Sequence, residues 1–338
     1  MKKLAVFISF IALLALLTAS RAENTVLAQV KFDTPIGQIG ENPRVIVLDD
    51  KLYVFSRKEG RILSWTTEQD ALEGYSSLPQ VPVESHVMKY RDMSVDKRAE
   101  MDQIVTHILA GDGKLWALNQ YSGKFGQINA EGVDYSAYTL DLSDLNPELN
   151  YDEDYRYPGF VSDGSLYLFS VMKKEMFFAR YDLATGERQD KALPGRGGTA
   201  YPYHSGYALY AVNTQTERGS GGYAESLYTL DLATGVLVPM ENHLPQGTMN
   251  NTTTYIKDVC FINQSNSLFY YLESGGGASS DTRILVFDQS GSLRINAALA
   301  VPENGFYYLC QPIDAQRVMA VDAFGAVVLD VNKLSEMN

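Results

Sequence analysis

Tyr201, Tyr203, His204 and Tyr207 gather three phenol rings and an imidazole in one short segment. Rings at that density can stack on a sugar face or grip an apolar side chain of a peptide. On an extended strand Tyr201 and Tyr203 share one face, so packing between blades accounts for both without any ligand. The chain has two cysteines, Cys260 and Cys310. They are either a disulfide, if their Cα atoms come within about 7 Å, or two buried thiols acting as small apolar side chains.

The other reactive residue types form no constellation. His86, His107, His204 and His243 share no metal-ligand spacing, and a Gly-x-Ser-x-Gly elbow is absent from the sequence. The acidic run Asp141, Asp144, Glu148, Asp152, Glu153 and Asp154 lacks the alternating spacing and central Gly of a calcium loop. It reads as an exposed, solvated charge run. On these residues no catalytic group is assigned and no cofactor is expected.

The elements that must position the aromatic segment come from an internal repeat. A polar turn leads into an alternating strand in Asp50-Lys51-Leu52-Tyr53-Val54-Phe55, Asp112-Gly113-Lys114-Leu115-Trp116 and Asp163-Gly164-Ser165-Leu166-Tyr167. Looser copies centre on Leu209, Leu268 and Val318, giving anchors about 53 residues apart on average, the long end of propeller periods. A second strand follows each anchor strand and a third precedes it, the latter at Val45–Val47, Ile104–Ile108, Phe160–Val161, Thr199–Tyr203, Val259–Ile262 and Tyr307–Leu309. With an outer strand, each copy becomes a four-stranded antiparallel sheet that can bury its faces only against its neighbours. The expectation is an all-β propeller of about six blades.

The final copy ends before an outer strand can form, while Val26–Phe32 belongs to no copy. Pairing the two covers an open edge and closes the ring. Cys260 and Cys310 each lie eight residues before the anchor of their copy, so they occupy equivalent places in adjacent blades. Ser94 to Met101 carries a capping Ser and few β-branched residues, which predicts a short inserted helix.

Residues 1–22 read as a signal peptide, with Lys2 and Lys3 ahead of an apolar run from Leu4 to Leu17 and small residues Ser20 and Ala22 at the cleavage site. Residues 23–338 then form one propeller domain in an extracytoplasmic space, as a secreted, periplasmic or envelope-associated protein. The run is too short to span a bilayer, so no stable membrane insertion follows cleavage. The net charge of −13 falls by three more when Lys2, Lys3 and Arg21 leave. An acidic surface repels phosphate backbones, which argues against nucleic acid as a partner.

The segments Tyr181-Asp182-Leu183-Ala184-Thr185-Gly186-Glu187 and Leu230-Asp231-Leu232-Ala233-Thr234-Gly235-Val236 resemble the strand–turn unit of quinoprotein-like and YVTN-type bacterial propeller repeats. That resemblance covers two blades. Quinone-binding members carry a Trp shortly after the Gly, but the two Trp here are Trp65 and Trp116, so no quinone is implied. Glu41-Asn42-Pro43 with Lys51-Leu52-Tyr53 and Gly60-Arg61-Ile62-Leu63-Ser64-Trp65 is similar to the opening blade of the gluconolactonase family. Those six-bladed enzymes hold a divalent cation on the axis, and the resemblance implies Glu41 as a ligand. Asn42 departs from that family's pattern, and its later ligand turns have no counterpart here. Two functions therefore stand: a non-catalytic module binding a protein, peptide or glycan through loops on one face, and a metal-dependent hydrolase or lactonase.

Overall fold

The computed structural model describes residues 25–338 apart from 34, 36–43, 57–59, 69–72, 79–91, 143, 146–158, 171–175, 194–197, 216–222, 241–253, 263–266, 275–280, 300–308 and 336–338. The first strand, β1 (Val26–Lys31), stands apart from the sheet that follows it in sequence. The first blade is β2 (Arg44–Leu48), β3 (Lys51–Ser56), β4 (Arg61–Thr66) and β5 (Glu73–Ser77); the second is β6 (His107–Gly111), β7 (Lys114–Leu118), β8 (Lys124–Asn129) and β9 (Gly132–Thr139). The third comprises β10 (Gly159–Ser162), β11 (Ser165–Phe169), β12 (Met176–Asp182) and β13 (Arg188–Leu193), and the fourth β14 (Gly198–Pro202), β15 (Tyr207–Gln215), β16 (Tyr223–Asp231) and β17 (Leu237–Pro239). The fifth is β18 (Thr254–Ile262), β19 (Ser267–Ser274), β20 (Asp281–Phe287) and β21 (Leu293–Leu299). In the sixth, β22 (Leu309–Pro312), β23 (Arg317–Val321) and β24 (Gly325–Asp330) accept β1 as the outer strand.

Each blade is an antiparallel meander, and successive blades pack face to face. Alternation along the second strand of each blade explains why. Leu52 and Val54 of β3 pack into the layer shared with the sixth blade, whereas Tyr53 and Phe55 pack into the layer shared with the second. In β11, Leu166 and Leu168 face the second blade while Tyr167 and Phe169 face the fourth. In β19, Leu268, Tyr270 and Leu272 face the fourth blade while Phe269 and Tyr271 face the sixth. A strand buried on both faces needs a neighbour on each side, and six such layers close a ring. The fold is a six-bladed, all-β propeller.

Closure uses the N-terminal strand as expected. β1 pairs antiparallel with β24 in the register Val30↔Ala326 and Gln29↔Val327. Phe32 donates its amide to the Phe324 carbonyl at 2.8 Å and Asp330 donates to the Thr25 carbonyl at 2.9 Å, so the pairing is held beyond both ends of the strand.

The inserted helix α1 (Val95–Met101) also forms, with the Ser94 hydroxyl accepting from the Lys97 amide at 3.3 Å. The strand after it starts later than its apolar pattern suggests. Asn119 donates through its amide to the carbonyls of Met101 and Ile104, both at 2.7 Å, which holds the helix exit irregular, and β6 begins at His107 instead of Ile104. Likewise β22 begins at Leu309, and Tyr307 and Tyr308 lie outside the described residues. A second helix, α2 (Val331–Ser335), was not expected; Val331 and Leu334 bury against the layer between the fifth and sixth blades.

The Asp-x-x-Thr-Gly segments are turns, as the hydrogen-bonding capacity of Asp and the positive φ of Gly require. Asp182 Oδ1 accepts from the amides of Ala184 and Thr185 at 2.9 and 2.8 Å, and Gly186 has φ +75°. Asp231 repeats the arrangement with Ala233, Thr234 and Gly235. Asp288 opens a related turn one residue shorter, Asp288-Gln289-Ser290-Gly291, in which Ser290 precedes the Gly. Its carboxyl is held down to about 2 by the Ser290 hydroxyl, with the Ser292 and Ser290 amides and the Arg294 guanidinium assisting. A carboxyl whose folded pKa is depressed stabilises fully above its unfolded value near 3.9, and that stabilisation is lost as pH falls through the folded value. Stability should therefore decline between about pH 4 and 2. The expected result is that Asp288→Asn, which keeps an acceptor but cannot titrate, flattens that decline in guanidinium midpoints measured at pH 5, 3 and 2; an unchanged slope would remove Asp288 as a contributor.

Candidate functional site

The innermost strands of all six blades surround one axial channel. Val45–Val47 of β2, Ile108–Ala110 of β6, Gly159 and Phe160 of β10, Tyr201–Tyr203 at the end of β14, Val259–Ile262 of β18 and Gln311–Ile313 at the end of β22 line a cavity of about 490 Å³. The residues that line it are mostly apolar in type, and the surface they present to it is shared about equally between polar and apolar atoms.

At the end of β14 the chain turns through His204-Ser205-Gly206-Tyr207, closed by a hydrogen bond from the Tyr207 amide to the His204 carbonyl at 2.9 Å, with Gly206 at φ +78°. The turn sets the rings in series. Tyr203 and His204 have centroids 4.1 Å apart, His204 and Tyr207 4.9 Å apart in an edge arrangement, and Tyr203 meets Phe261 of β18 edge to face at 4.7 Å. Tyr203 is half-buried and burial raises its phenol pKa, so it stays neutral. His204 and Tyr207 are exposed. Tyr201 stands two residues down the same face, in the layer between the fourth and fifth blades and on the channel wall. Tyr201 and Tyr203 pack between the fourth and fifth blades, and Tyr203 also belongs to a ring series that reaches the surface.

Phe261 is the member that the sequence pattern did not single out. It sits in a different blade, more than fifty residues away, and reads locally as one more apolar strand residue.

What fixes the aromatic turn is a relay of aspartates. The 1–2 turns of the second and third blades are Asp112-Gly113 and Asp163-Gly164, with all four φ angles positive, as in two-residue hairpins whose twist matches the strands. Each carboxylate then reaches the following blade. Asp112 accepts from the amides of Asp163 and Gly164 at 3.0 and 2.8 Å, and Asp163 accepts from the Ser205 hydroxyl at 2.9 Å and the Gly206 amide at 3.2 Å. Asp50 of the first blade meets Arg317 of the sixth at 3.4 Å. These aspartates stitch neighbouring turns, and Asp163 holds the turn that carries His204 and Tyr207.

A divalent cation on the axis would need several converging oxygens. No Asp or Glu lines the described channel wall, so the charged oxygens on which a divalent site draws are lacking among these residues. Glu41 lies outside the described residues, as do His86 and His243. No cluster of three or more His, Cys, Asp or Glu with metal-binding geometry occurs among the described residues. In the acidic run, Asp144 is engaged by Arg188 at 2.8 Å, and the Asp141 carbonyl accepts from Arg188 Nη1 at 2.7 Å and from the Tyr181 hydroxyl. The start of that run is a latch onto the third blade; Glu148, Asp152, Glu153 and Asp154 lie outside the described residues.

His107 is buried at the start of β6, where its Nδ1 lies 2.9 Å from the Thr106 hydroxyl. Gln120 beside them is also buried, and its side-chain amide has no hydrogen-bonding partner among the described residues. Cys260 and Cys310 are thiols in this structure, Cys310 buried and Cys260 partly so.

No protein-family model matches the chain, and no curated protein matches it. Among solved structures, a luciferin-regenerating enzyme is similar at 10% identity with a TM-score of 0.45, covering 88% of this chain and 94% of its own. YCF48 from Cyanidioschyzon merolae is similar at 12% identity and a TM-score of 0.45, over 84% of this chain and 80% of its own. The WD40 domain of SCAP from fission yeast matches at 11% identity and 0.36, over 83% and 82%. Likeness at this level carries no statement about activity, and the propeller assignment rests on the six paired sheets and the channel they enclose.

Proposed function

We propose that this protein is an exported, non-catalytic binding module that holds a peptide or protein segment, or the apolar face of a glycan, through the propeller face bearing residues 203–207. The observation that supports it is the ring series from Phe261 through Tyr203 and His204 to Tyr207, set beside an axial channel of about 490 Å³ lined by apolar side chains and polar atoms in about equal area. Volume and lining of this kind suit a compact apolar group, with a few polar atoms orienting it. Gln311 and Tyr203, both on the channel wall, carry polar side-chain groups of that kind. Acidic turns around the same face favour a ligand that is neutral or cationic over one carrying phosphate.

Aromatic side chains in such a position act as anchors whose removal costs about 2 kcal/mol or more, near thirty-fold in Kd. The test is selection of a displayed random-peptide library on the full mature protein, followed by titration of the winning peptides. The expected outcome is recovery of peptides carrying an aromatic or large aliphatic residue, whose affinity falls at least tenfold on Tyr203→Ala or Phe261→Ala while Leu27→Ala, exposed on the outer strand of the sixth blade, leaves it unchanged. Equal affinity for all three proteins would place binding elsewhere.

A further inference from the structure

We propose that Cys260 and Cys310 form a thiol–disulfide site that joins the innermost strands of the fifth and sixth blades. The register of each sheet decides where the two sulfurs point. Cys260 lies opposite Phe269 on β19, and residues directly opposite in an antiparallel pair project to the same face. Phe269 and Tyr271 face the sixth blade, so Cys260 does too. Cys310 lies opposite Ala320 on β23, and Ala320 with Val318 faces the fifth blade. Both cysteines therefore project into one layer, from strands β18 and β22 that lie against each other beside the axis, where neighbouring blades approach most closely. They also sit at matching heights, each two residues before the last paired residue of its strand, Ile262 and Pro312.

The two thiols differ in access. Cys310 is fully buried, whereas Cys260 is partly exposed and lines the axial channel. An oxidant entering by the channel meets Cys260 first. The Cys260 thiolate attacks a small-molecule or protein disulfide, forming a mixed disulfide and releasing one thiol; the Cys310 thiolate then attacks the Cys260 sulfur and releases the second. Two protein thiols and one external disulfide become one protein disulfide and two external thiols. The oxidising compartment this needs rests on the export reading of residues 1–22. Closure would tie the fifth blade to the blade that completes the ring, and would fix the strand that carries Phe261.

The test uses the full mature protein, incubated with oxidised glutathione or with dithiothreitol, then denatured in excess iodoacetamide and weighed intact. The expected result is no alkyl group and a mass two hydrogens lower after oxidation, two alkyl groups after reduction, and a melting temperature several degrees higher for the oxidised form. Cys260→Ser and Cys310→Ala should each abolish that redox dependence. Two alkyl groups on the oxidised protein, or a glutathione adduct held on Cys260 with Cys310 still alkylated, would overturn the site. Closure by glutathione in a protein recovered fully reduced from its native compartment would uphold the site and overturn the export reading instead.

Discussion

Removal of residues 26–32 is expected to leave a protein that does not hold the native ring. The strand supplies Val30 at 3% exposure and Phe32 at 9% to the layer between the sixth and first blades, where they meet Leu52, Trp65, Met319 and Val328. Burying side chains of this size contributes about 1.5–3 kcal/mol each, and the ladder to β24 adds about 0.5–1.5 kcal/mol for each hydrogen bond. The sum is several kcal/mol, a large share of the roughly 5–15 kcal/mol that separates folded from unfolded domains. Loss of the strand also bares the unpaired edge of β24, a template for association. Val30→Asp tests the same layer with one substitution, and an unpaired carboxylate there should cost more than about 4 kcal/mol. Guanidinium unfolding and size-exclusion chromatography read both. A truncated protein that stays monomeric with an unshifted midpoint would show that the ring closes without the strand.

The second large effect is expected at Gly111. A Cβ at this position would strike the carbonyl oxygen of Val161 on β10, so β6 and β10 could not keep their separation. The obstacle is backbone, which cannot swing aside as a long side chain would. Displacing β10 also disturbs the pair of hydrogen bonds from the Asp163 and Gly164 amides to Asp112, and through Asp163 the turn that carries His204. Gly111→Ala should therefore cost about 3 kcal/mol, at the upper end for overpacking. It should also weaken peptide binding at the fourth blade. Gly74→Ala is the matched control, since a Cβ there meets no atom within 4 Å and the change should stay within about 0.5 kcal/mol. Equal midpoints for the two variants would mean that the inner strands tolerate wider spacing than their packing indicates.

Much of this architecture is written locally. Alternating strands such as Leu52-Tyr53-Val54-Phe55 carry apolar groups on both faces, and that alone demands a neighbour on each side. The unmatched segment Val26–Phe32 and the missing last outer strand point to each other for the same reason. Turn chemistry was equally legible at Asp182 and Asp231, where Asp, Thr and Gly act within a few residues. The turn at Asp288 departs from that pattern because it is one residue shorter and carries Ser in place of Thr, although the Ser290 hydroxyl also donates to the Asp carboxylate. Helix α2 escaped it because five residues are too few for a helical period to show.

The candidate site was half legible. Tyr203, His204 and Tyr207 are close in sequence, and a strand running into a turn brings them together without help from the rest of the molecule. Phe261 joins them from the next blade, Asp163 anchors their turn from the preceding one, and Cys260 shares its layer with Cys310. Each of these pairings spans about one repeat of chain, a distance over which residue order constrains nothing until the ring is shut. Periodicity announces which face of a strand is apolar; which partner covers that face, and at what height, is a matter of how far the blades rotate and how tightly they approach the axis.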